Sequence, residues 1–130
     1  MSRYIARDVA FKLVFEYSFH KKQDLELVDI LCEENRIEKE KGYILEIYNG
    51  VVNHYDELIN CIAELSHGFA IDRVYKVDLA IMLVAIYEMS YVESIPHKVS
   101  INEAINLAKK YSTDKSGKFI NGILSNFTGE

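Results

Sequence analysis

Apolar residues recur along this chain at helical rather than strand spacing. Over 3–19, Ile5, Val9, Phe11, Leu13, Phe15 and Phe19 keep a broad apolar side, and Ser2 is placed to cap its start. Arg3, Arg7 and Lys12 fall largely on one flank of that helix. A polar connection, HKKQD (20–24), leads into a second helix over 24–35. Its stripe is Leu25, Val28, Ile30 and Leu31, and Asp24 or a neighbour starts it. EENRIEKEK (33–41) reads as a solvated, charged stretch.

The pattern is clearest over 44–65. Ile44, Ile47, Val51, Tyr55, Leu58, Ile62 and Leu65 follow one another at steps of three and four, which predicts one long helix. Gly68 suits its C-terminal cap. FAID (69–72) is a short connector. DLAIMLVAIYEM (78–89) is apolar nearly all round, so it predicts a helix buried on most sides, central to a second group of helices. Pro96, the single proline, ends that element. Ser100 and Glu103 have the spacing of a capping box for the helix INEAINLAKKY, with Lys109 and Lys110 in its last turn. After a polar loop, STDKSGK (112–118), Phe119, Ile120, Ile123, Leu124 and Phe127 form a last amphipathic helix.

Composition supports helices. Only one proline and six glycines occur in 130 residues, too few for the turns of a β-sandwich. The expectation is an all-α, compact bundle of six or seven helices. It forms a single domain over 1–130, with packed helical subdomains at 1–68 and 72–130. Two cysteines cannot build a disulfide scaffold or a thiolate zinc site. With no long apolar span and no leader-like N-terminus, the expected protein is soluble and cytoplasmic, with no membrane partner.

Net charge is −5, which by itself argues against a nucleic-acid partner. Its distribution changes that reading. Residues 1–22 hold five basic and two acidic residues, and so do residues 98–118. Residues 23–97 hold five basic and fifteen acidic residues. If folding joins the two ends of the chain, one basic face sits on an acidic body.

Catalytic patterns are missing. There is no phosphate-binding loop, no GxGxxG and no HExxH, and His20, His54, His67 and His97 are scattered without ligand spacing. An enzyme is therefore disfavoured, and no cofactor or metal is expected.

The segment SIPHKVSINEAINLAKKYSTDKSGKFINGIL (94–124) resembles the C-terminal signature of the NusB family of transcription antitermination factors. Ile95, Pro96, Val99, Ile101, Asn102, Glu103, Ala104, Leu107, Ala108 and Lys109 match its first block. Lys118, Phe119, Asn121, Gly122 and Leu124 match its second. The Tyr87-Glu88 pair and Ala6-Arg7 extend the likeness. It covers essentially the whole chain, strongly over 72–124 and weakly over 20–70.

The resemblance implies two perpendicular helical subdomains and binding of boxA, a short single-stranded RNA element of ribosomal RNA leaders. It implies a heterodimer with NusE, a small-subunit ribosomal protein, within an RNA polymerase antitermination complex; some members form homodimers. NusB-like domains also begin some RNA methyltransferases, and a chain ending at Glu130 is expected to lack that catalytic part. The RNA surface carried over comprises Arg3, Arg7, Lys12 and Phe15 at one end and Lys115, Ser116, Lys118 and Phe119 at the other. These are the two basic segments. Tyr4 and Ile5 stand between Arg3 and Arg7 where richer members cluster arginines. Phe119 either stacks a base or belongs to the core, and Arg3 and Arg7 either touch RNA or line a solvated flank. The alternative to RNA binding is a protein-interaction module or homodimer with little RNA affinity of its own.

Overall fold

The computed structural model describes residues 2–67 and 70–128. Among them there are seven α-helices and no strand. These are α1 (Ser2–His20), α2 (Leu25–Glu34), α3 (Lys41–Asn53), α4 (Tyr55–Leu65), α5 (Lys76–Tyr91), α6 (His97–Tyr111) and α7 (Ser116–Leu124). Single 3₁₀ turns, Glu38–Glu40 and Ile71–Arg73, precede α3 and α5. No helix among the described residues is long and apolar enough to cross a membrane.

The organising element is α5. Every residue from Asp78 to Met89 is buried, as its all-round apolar pattern predicts. It packs against α1, α3, α4, α6 and α7, so it joins the N-terminal helices to the C-terminal ones through one continuous apolar core. Where α3 crosses α5, Gly50 faces the ring of Tyr87, and a methyl group there would overlap that ring. Glycine is needed here for close approach.

Several local expectations change. The 44–65 stripe is two helices, because His54 leaves helical geometry at φ −116°, ψ 23°. The bend is tight: His54 N–H still bonds Gly50 O at 3.0 Å, and Leu58 N–H bonds His54 O at 2.9 Å. Its imidazole stacks on Tyr91, with centroids 4.7 Å apart, so the bend seats α4 against the end of α5. In α2, Leu25 and Ile30 are exposed, and Val28 and Cys32 do the packing. Asp24 does cap α2, accepting from Leu27 N–H at 3.1 Å. The charged stretch 33–41 is not wholly solvated, because Ile37 joins the core.

The Ser100–Glu103 capping box does not form. Pro96, at φ −61°, is the residue before α6 and starts the helix a turn earlier. Ser100 is thus inside the helix, and its hydroxyl donates to Glu88 Oε1 at 2.7 Å. The last helix also begins early, at Ser116 rather than after Lys118. Ser2 is the first helical residue rather than a cap, and the Gly68 cap lies outside the described residues.

Candidate nucleic-acid interface

The predicted arginines have separate fates. Arg7 is 5% exposed and points inward from α1, its Nε donating to Glu88 Oε2 at 2.8 Å. Glu88, with no exposed surface, also accepts from Tyr43 and Ser100. One carboxylate thus ties α1, α3, α5 and α6 together. Burial works against the Arg7 charge, but Tyr43 and Glu88 outweigh it and hold its pKa above the ordinary value. Tyr43, buried beside that anion, is pushed well above the phenol range and stays a proton donor. Arg7 is therefore neither a phosphate contact at the surface nor a solvated flank; it is a core cation. Arg3 remains exposed, pairing with Glu40 at 3.1 Å and lying 4.1 Å above the Tyr43 ring.

Further along α1, spacing of four sets Phe11, Phe15 and Phe19 in a row. Their centroids are 6.0 Å and 5.0 Å apart, and Phe11 meets Tyr111 of α6 at 5.3 Å. Phe11 is buried, Phe15 is partly buried, and Phe19 is 54% exposed. Cations edge the row. Lys12 is 5.6 Å from the Tyr111 ring centre and Lys76 is 5.6 Å from that of Phe19. Asp8, beside them on α1, takes Lys12 at 3.3 Å and Lys110 at 2.8 Å. The basic segments 1–22 and 98–118 therefore meet in space.

The start of α7 is fixed by Asp78, buried at the beginning of α5. It accepts from the hydroxyls of Ser112 at 2.6 Å and Ser116 at 3.0 Å. Ser116 is thereby buried and serves the fold. Lys115 and Phe119 flank an open hollow of about 240 Å³ between the 71–73 turn and α7. Arg73, Tyr75 and Thr113 complete its wall, and Tyr75 is 61% exposed. Phe119 is partly buried against the core, so it belongs to both core and surface. Lys118 lies on another side of α7, in a groove with Lys109 and Asn121. Gly122 has nothing within 4 Å of where a Cβ would be, so it serves no close packing.

Lys12 and Phe15 thus lie along the α1 row, Lys115 and Phe119 flank the hollow beside α7, and Arg7 and Ser116 are withdrawn into the interior. Reading the sequence missed Arg73, Tyr75 and Lys76, which sit at a connector without periodicity, and Phe19, which reads as core. The usable signal is an aromatic set between cations: Tyr75-Lys76 follows Arg73 by two positions. Among the described residues no group of His, Cys, Asp and Glu is arranged to hold a metal ion.

A seven-helix bundle presenting aromatic rings edged by lysines has the surface chemistry of proteins that hold single-stranded nucleic acid. The chain belongs to the NusB family, whose sequence profile matches residues 4–129. It is 44% identical over 130 residues to the transcription antitermination protein NusB of Agathobacter rectalis, covering 98% of this chain and 99% of that one. Identity to the NusB of Acetivibrio thermocellus is 41% over 125 residues, covering 95% and 86%. A solved T. maritima NusB superposes with a TM-score of 0.82 at 32% identity, covering 95% of this chain and 87% of that one. NusB in a crystal structure of the antitermination factors NusB and NusE with double-stranded RNA gives a TM-score of 0.82 at 28% identity, covering 96% of each chain.

Proposed function

We propose that this chain is a transcription antitermination factor that binds boxA-type single-stranded RNA of ribosomal RNA leaders together with the ribosomal protein NusE. The observation that carries this reading is the Phe15–Phe19 pair edged by Lys12 and Lys76, together with the hollow that Tyr75, Lys115 and Phe119 line. Aromatic faces stack unpaired bases regardless of sequence, and lysines contact phosphates and release counterions. Within this proposal Lys12 and Lys115 are assigned to phosphates and Phe15 and Phe119 to bases, as the family resemblance implies.

The role is one of binding in the cytoplasm, without catalysis. Residues 23–97, with fifteen acidic and five basic residues, suit a basic partner such as a ribosomal protein. The test is fluorescence anisotropy with a boxA-like RNA and a scrambled RNA, with and without NusE. Binding that favours boxA and tightens with NusE is expected. NusE binding with no RNA affinity in either arm leaves a protein-interaction module instead.

A further inference from the structure

Asp8 is 6% exposed, and both of its oxygens are occupied. Oδ1 accepts from Tyr111 at 2.8 Å and pairs with Lys12 at 3.3 Å. Oδ2 accepts from Lys110 at 2.8 Å and from Tyr111 at 2.9 Å. The lysines reach this carboxylate from different helices, α1 and the last turn of α6, and both lie near the Tyr111 ring, at 5.6 Å and 5.2 Å from its centre. While Asp8 is enclosed, both lysine side chains keep about half of their surface in solvent. Two ammonium groups this close would repel one another, and the carboxylate between them removes that repulsion. Each ammonium has three N–H donors, more than one carboxylate contact uses. The cluster carries a net charge of +1 beside the Phe11–Phe15–Phe19 row.

From this geometry we infer that Lys110 is a nucleic-acid-binding residue, forming with Lys12 a single contact for one phosphodiester of the RNA backbone. The inference rests on the RNA-binding reading above. It adds a residue from α6, whose Lys110 otherwise serves only to tie that helix to Asp8 of α1.

The experiment measures RNA affinity of the full chain with NusE across a salt series, together with a thermal melt. The variants are Lys110→Gln, Lys110→Arg, Lys12→Gln and the Lys12→Gln/Lys110→Gln pair. Lys110→Gln should weaken binding about 3–10-fold, equally for boxA and scrambled RNA, and lower the salt slope by about 0.7. Lys110→Arg should restore most of the affinity. The double variant should lose less than the product of the two single losses, because both lysines serve one phosphate. If wild type binds RNA while Lys110→Gln binds equally well and only melts lower, Lys110 is a helix clamp and the inference fails alone. If the two losses multiply, the shared contact is wrong. If wild type binds no RNA, the RNA-binding reading falls and this inference falls with it.

Discussion

Arg7 on α1 donates through Nε to Glu88 on α5 across 2.8 Å, buried almost completely from solvent. An arginine that reads as part of a basic surface is spent on holding the bundle closed. Removing it leaves Glu88 buried with one fewer donor. Arg7→Ala should therefore cost about 3–5 kcal/mol of stability, read from the urea midpoint. A variant that stays as stable as wild type yet loses RNA affinity would return Arg7 to the binding surface.

Two glycines of α3 should respond in opposite senses. Gly50→Ala drives a methyl into the Tyr87 ring and should destabilise by about 1–3 kcal/mol. Gly42→Ala meets nothing within 4 Å and should stabilise by about 0.4–1 kcal/mol, by restricting the unfolded chain. Parallel thermal melts compare them. Equal shifts would contradict the close crossing of α3 and α5.

Tyr75 offers a clean test of the hollow. Its ring is exposed, so Tyr75→Ala should leave the melting temperature unchanged. If the ring stacks a base, RNA binding should lose about 1–3 kcal/mol with little change in salt slope. Phe119→Ala should lose both affinity and stability, because that ring also packs on the core. RNA binding unaffected by Tyr75→Ala removes the hollow from the interface.

Stability should depend on pH through Asp8. Burial pushes its pKa up, but hydrogen bonds from Lys110 and Tyr111 and the nearby ammonium charges prevail and hold it below the ordinary value. The folded state therefore favours the carboxylate. Its contribution is fully present above the unfolded pKa, about 3.9, and is lost as pH falls through the lower folded value. Wild type should be more stable than Asp8→Asn near neutral pH, and the gap should close below about pH 4. A gap that stays constant with acidification would show that the charge of Asp8 does not matter.

Legibility in the sequence followed physical simplicity. The α5 helix was readable because a helix apolar on every side has nowhere to lie but inside. The break at His54 was not, because the bend keeps the Gly50–His54 and His54–Leu58 hydrogen bonds and leaves the stripe in phase. Ser100 and Glu103 mimicked a cap because the spacing is right; only the distant Glu88 shows where the hydroxyl goes. Arg7 misled for the same reason, since its partner lies 81 positions away. Charge counting suggests that the two basic segments meet, but it gives no sign that Asp8 is the carboxylate that joins them.

The enclosure of α5 has a consequence in time. It supplies a packing surface for α1, α3 and α4, yet follows all three in the chain. Ribosomes add about 5–20 residues per second, so the last residue of α5 is made on the order of ten seconds after that of α1. Until then α1 and α3 can pack on each other, but the faces they turn to α5 stay uncovered. The N-terminal helices therefore complete their packing only once the helix that comes fifth has been made.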